Sequence, residues 1–249
     1  MNTQNYYLGS EFEALTQFTD LNNILLRRSP DSTIDFIFQN LRDEMELMER
    51  IIERYIPIIR ENYSISPKKL DKFERSFFDL KESFQKRHPD MSLPRNLSKF
   101  LDSNLDVELE LLEHFSKSLW KELEGEKTEE DIEFLTRVSI AVEEIKIILR
   151  EVKEKIKEVF TFAPRRYRKQ ILLDYLRVES KKIRVVLEAV MRLLIDLYRL
   201  CRDGYSPEDL ECLEERIHET VDLAHSRLSF KVFVEDEKVI SDIPPELIA

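Results

Sequence analysis

Glycine is almost missing from this chain: there are 3 among 249 residues, where average usage of about 7% would give roughly 17. Glycine is the residue that takes positive φ without steric cost, so a sheet-rich fold with many tight hairpins is not expected. The same scarcity excludes the clustered-glycine phosphate cradles of the P-loop and the dinucleotide fingerprint. Cys201 and Cys212 are the only two cysteines, too few for a disulfide framework, and a reducing, cytoplasmic setting is expected. They flank an expected helix–helix turn. No stretch reaches 18 uncharged apolar residues; the most apolar window, 185–201, is broken by Glu188, Arg192, Asp196 and Arg199. No transmembrane helix and no membrane partner are therefore expected. The start, MNTQNYYLGSEFE, shows no basic segment followed by an apolar one, so no secretory signal is expected either.

What is present is a core and a great deal of charge. Hydrophobic residues make up 42% and charged residues 36%, with a net charge of -11, which suits a globular protein with a highly charged surface. Abundant Lys and Glu with little Gln or Cys is also a thermophile-like composition.

Helical periodicity dominates the pattern. Ile34, Phe38, Leu41, Met45, Met48, Ile52, Tyr55 and Ile59 follow alternating steps of four and three, the repeat of a helix that offers one continuous seam to a partner helix. Leu70, Phe73, Phe77, Leu80 and Phe84 repeat it. Leu135, Val138, Val142, Ile145, Leu149, Val152, Ile156 and Val159 do so without one polar interruption. Ile183, Val186, Val190, Leu193, Leu197 and Leu200 form a fourth run, extended backwards by Leu176 and Leu172.

Helix boundaries are written as caps. Ser29-Pro30, Ser66-Pro67 and Ser206-Pro207 each join a capping hydroxyl to a proline, tolerated in the first turn because its missing N–H has no partner there. Asp209 and Asp131 stand three residues after Ser206 and Thr128, close to a capping box. Gly125 and Gly204 fall where helices need C-terminal caps. The expected helices span about 10–28, 31–62, 67–88, 95–124, 128–162, 164–202 and 207–228. Pro57 is expected to kink or end the second one early, and Asp102-Ser103-Asn104 to interrupt the fourth. Ala163-Pro164 leaves almost no loop between the two longest helices.

After Leu228 the period changes. Phe230, Val232 and Val234, a turn at 235–238, then Val239-Ile240 read as a short β-hairpin. The expected fold class is thus all-α: an elongated bundle of six or seven helices with coiled-coil-like seams over 1–228, divisible at 1–127 and 128–228, and a C-terminal hairpin and tail over 229–249. A lone two-stranded hairpin is marginal in water, so the apolar 229–249 segment is expected to be docked on the helices or on a second copy.

The best histidine–carboxylate constellation is Glu211, Glu215, His218, Asp222 and His225, one stripe of the seventh helix. Glu215-x-x-His218 is the pair used by di-iron carboxylate bundles, but no second Glu-x-x-His occurs. Glu215, His218, Asp222 and His225 are the candidate metal ligands, and His218 and His225 the candidate phosphotransfer residues; an ordinary charged helix face is the competing reading. No Arg lies four to six residues before any His, and no Ser-His-Asp context is visible. The pattern implies no cofactor and leans away from an enzyme.

Charge is unevenly placed. From Arg150 to Arg184 there are twelve basic and five acidic residues, a local +7 that leaves -18 on the rest. Arg165, Arg166, Arg168, Lys169, Arg177, Lys181 and Arg184 form a candidate phosphate-binding strip for nucleic acid, disfavoured by the overall negative charge. The competing reading pairs Glu188 with Arg184 and Arg192 on a solvated face. Glu179 falls on the seam of this helix and is expected where the bundle opens to water. The favoured expectation is a non-enzymatic helical scaffold or adaptor that contacts another protein or itself, with a homodimer as one form.

Overall fold

A computed structural model describes residues 9–26, 34–85, 92–123, 127–162, 169–235 and 238–242. Among these residues seven helices follow one another: α1 (Gly9–Leu26), α2 (Ile34–Asn62), α3 (Pro67–Gln85), α4 (Ser92–Leu123), α5 (Glu129–Phe162), α6 (Lys169–Asp203) and α7 (Pro207–Ser229). The chain closes with the strands β1 (Val232–Glu235) and β2 (Lys238–Ser241). This is the expected all-α bundle with a short hairpin. The 35 residues of α6 make a rod of about 52 Å at 1.5 Å per residue.

The seams bury as their spacing requires. Met48 and Ile59 of α2, the Phe73–Phe77–Leu80 run of α3, the α5 run from Leu135 to Val159 and the α6 run from Ile183 to Leu197 are all buried in one continuous core or against it. α4 packs between α3 and α5, α6 lies on α7, and α1 contacts α2, α4 and α6. α1 is the central helix. Phe12, Leu15, Phe18, Leu21, Ile24 and Leu25 are buried, as are Thr19, Asn22 and Asn23 between them; exposed Glu13 and half-buried Thr16, Gln17 and Asp20 leave the helix a narrow flank toward solvent. Phe12 meets Phe115 edge-on at 4.6 Å, and Phe18 meets Phe73 at 5.4 Å, which joins α1 to α4 and α3.

Caps hold the termini. Ser206 Oγ accepts from the Asp209 N–H while Asp209 returns the bond to the Ser206 N–H, completing a capping box with Pro207 in the first turn. Thr128 and Asp131 do the same for α5, at 3.1 and 3.2 Å. Gly204, at φ 89°, takes the left-handed conformation that ends α6. Phe134 stacks on Tyr205 at 4.1 Å, fastening this turn to the start of α5.

Neither expected break ends its helix. α2 continues past Pro57 to Asn62; Pro57 is exposed while Ile56 and Ile59 are buried beside it, so water can serve the carbonyl that the proline leaves unbonded. α4 runs unbroken through 102–104. There Ser103 Oγ lies 2.6 Å from Ser76 Oγ and 2.9 Å from the Phe100 carbonyl oxygen, and Asn104 donates to the Phe18 carbonyl at 2.8 Å and to Glu108 at 2.7 Å, so each side chain bridges to a neighbouring helix as well as bonding within α4. Cys201 is buried, Cys212 exposed, and both are free. Ser29-Pro30, Gly125 and the 163–168 junction lie outside the described residues.

Candidate functional site

The cations of α6 divide into two groups. Arg184 donates to Glu188 at 2.8 Å, as the solvated-face reading expects, and Arg177 and Lys181 are also engaged within the chain. Arg165, Arg166 and Arg168 lie outside the described residues, and so does the Lys169 side chain. Further along α6, Arg192 and Arg199 are seven residues apart and enter a groove between α6 and α7, with a volume of about 580 Å³, joined from the other wall by Arg216. Ala189, Leu193 and Leu223 supply apolar lining.

Asp196 organises the cations of that groove. It pairs with Arg216 and lies 3.9 Å from Arg199, and it holds the Arg216 guanidinium above its ordinary pKa. With Glu219 also present, three cations face two carboxylates. The groove is of ligand-site size and carries a small positive excess on an acidic protein. It can orient a carboxylate or phosphate beside an apolar group, and it contains no nucleophile–base pair.

The histidine stripe is on the outside. Glu215, His218, Asp222 and His225 are all exposed, and His225 Nε2 lies 3.4 Å from Glu151 of α5. Among the described residues no group of three His, Cys, Asp or Glu side chains is arranged to hold a metal ion.

The buried charges are elsewhere. Glu108 of α4 is fully buried, and burial pushes its pKa up to about 8 against the hydrogen bonds of Thr19 and Asn22. Asn22 and Asn104 donate to Glu108 Oε1 at 2.6 and 2.7 Å. At neutral pH the raised pKa favours the protonated carboxyl, the form that is cheaper to bury. Glu179 is not where water enters: it is 1% exposed, with Lys182 at 2.8 Å and Lys155 at 3.9 Å. The expectation failed because α5 supplies Lys155 and α6 supplies Lys182, so the carboxylate has cations inside the bundle. Lys182 Nζ also donates to the Phe230 carbonyl at 2.7 Å, although burial holds its own pKa below the ordinary lysine value. Nearby, burial pushes the Tyr175 phenol up to about 12, aided by Glu179 and Glu158.

No known family, curated protein or solved structure matches the chain.

Beside the single exposed residues Leu47 and Phe78, at 42% and 59%, two apolar surfaces stand out among the described residues. Ile132, Ile140 and Ile147 share the outward side of α5, exposed by 47%, 52% and 43%, over about 22 Å of helix. The hairpin packs against α6 but leaves Phe233 42% exposed. Sequence reasoning missed the Glu108 network and the arginine groove. Asn22-Asn23 inside an apolar run was a usable signal for the first. For the second, the heptad spacing of Arg192 and Arg199 needed the position of α7 as well.

Proposed function

We propose that this protein is a non-enzymatic helical scaffold that works by contacting another protein or a second copy of itself. The observation that carries this reading is the row of three exposed isoleucines on α5. Isolated exposed apolar residues are ordinary, but several on one side of one helix mark an interaction surface. The buried ionisable groups support the same reading, since Glu108, Glu179 and Lys182 are used to join helices. The arginine groove suits an acidic segment of a partner, through bidentate contacts to carboxylates. A nucleic-acid role has less behind it, because Arg177, Lys181 and Arg184 are already engaged.

The test is the double substitution Ile140→Lys with Ile147→Lys in the full chain. Both positions are exposed, so the melting temperature should stay within a few degrees of wild type. Sedimentation should show self-association, or comparative pull-downs a specific bound protein, in the wild type and much less in the variant. Indistinguishable behaviour of the two proteins in both measurements overturns the reading.

A further inference from the structure

With one flanking residue each, the two strands read Lys231-Val-Phe-Val-Glu235 and Lys238-Val-Ile-Ser-Asp242, a cation at the start and an anion at the end of both. In the hairpin this order pairs Glu235 with Lys238, Val232 with Ser241 and Phe233 with Ile240. The Asp242 N–H donates to the Lys231 carbonyl at 3.1 Å, which sets the phase of the ladder. Hydrogen-bonded pairs alternate in an antiparallel ladder, so residues 231, 233 and 235 turn their backbone groups toward β2. The N–H and C=O of Val232 and Val234 then point outward along the edge of β1 that no other described strand pairs with. Lys231, Phe233 and Glu235 share one face and are all exposed, as expected for the side away from α6.

We infer that the protein forms a two-fold dimer in which β1 pairs antiparallel with β1 of a second copy, Phe233 lying on the axis. This rests on the reading of the chain as a self-associating scaffold and gives it a surface. In that register Val232 faces Val234 of the other copy, so the outward donors and acceptors of each strand meet. Phe233 faces Phe233, and Lys231 faces Glu235 twice. These odd-numbered pairs are the non-hydrogen-bonded ones, whose side chains approach most closely. A parallel arrangement would instead oppose like charges. The edge of β2 has the same charge order, but Ile240, which would lie on the axis there, is half-buried whereas Phe233 is exposed. Pairing converts a marginal two-stranded ribbon into a four-stranded sheet and removes an open edge.

The mixing of two charge-reversed variants tests the register. Lys231→Glu and Glu235→Lys each place like charges at both ends of the paired strands, and each alone should weaken the dimer by roughly tenfold. Mixed in equal amounts, with one of the two labelled with 15N, they restore both opposite-charge pairs, so a heterodimer of intermediate mass should form and be resolved by native mass spectrometry. Val232→Pro removes one outward N–H and leaves the β1–β2 ladder its own bonds; it should abolish dimers in every combination. A monomeric wild type, single variants that dimerise as wild type does, or a mixture that restores nothing overturns the inference. If the dimer ignores these changes but is lost with Ile140→Lys and Ile147→Lys, edge pairing is wrong while the scaffold reading stands.

Discussion

The ammonium of Lys182, midway along α6, is hydrogen-bonded at 2.7 Å to the backbone carbonyl of Phe230, the residue that closes α7. The same ammonium lies 2.8 Å from Glu179. One buried cation thus neutralises a buried carboxylate and anchors the point where the helical chain turns into the hairpin. A lysine held this way is a structural tie, and its removal should be felt at both ends.

Lys182→Met should therefore be severely destabilising. It leaves Glu179 buried with Lys155 at 3.9 Å, and breaking a buried pair from one side typically costs about 3–5 kcal/mol. Glu179→Leu combined with Lys182→Met should recover most of the loss, since no charge is then stranded. Urea denaturation measures both, and hydrogen exchange at 231–242 should quicken in the single variant. A single variant as stable as wild type would show that the tie contributes nothing.

Glu108 gives the protein a pH dependence of defined sign. Its folded pKa of about 8 stands above the ordinary 4.5, so the folded state keeps a proton that the unfolded chain releases. Its contribution is fully present below about pH 4.5 and is lost as pH rises to about 8, at up to roughly 1.4 kcal/mol per pH unit. Glu108→Gln keeps the neutral shape and cannot ionise. The variant should be the more stable protein at pH 9, with the difference shrinking toward pH 5. Parallel denaturation curves at all pH values would contradict the assignment.

Pro57 interrupts a helix that continues regardless. Pro57→Ala restores an N–H donor and removes the ring from the preceding turn, and should raise stability by about 1–3 kcal/mol. Thermal melting decides it; no increase would mean that α2 is bent around the proline in a way alanine does not relax.

The turn between α6 and α7 offers a paired test of local geometry. Ser206→Ala removes the oxygen that accepts from the Asp209 N–H and should cost about 1 kcal/mol. Gly204→Ala forces a Cβ into φ 89° and should cost about as much again. If either variant denatures at the wild-type urea concentration, its cap is dispensable.

The four seams, the caps at Thr128 and Ser206 and the hairpin were legible in the residue order because each is a local property. A 3.5-residue repeat or a hydroxyl before a proline acts within one or two turns. The central place of α1 was not legible, since a helix apolar on several sides has no face that names its neighbours. Nor was the continuity of α4 through Ser103 and Asn104, whose hydrogen bonds end on Ser76 and Phe18. The arginine groove exists because α7 brings Arg216 to Asp196. Glu108 and Glu179 make the point most sharply: the first reads as one more carboxylate among 50 acidic residues, and the second, though visible on its seam, was placed toward water instead of inside the bundle. Local periodicity decided which helices form and which way each apolar seam faces. Tertiary packing alone decided which charges lose water, because desolvation depends on neighbours as far apart in sequence as Asn22 and Glu108.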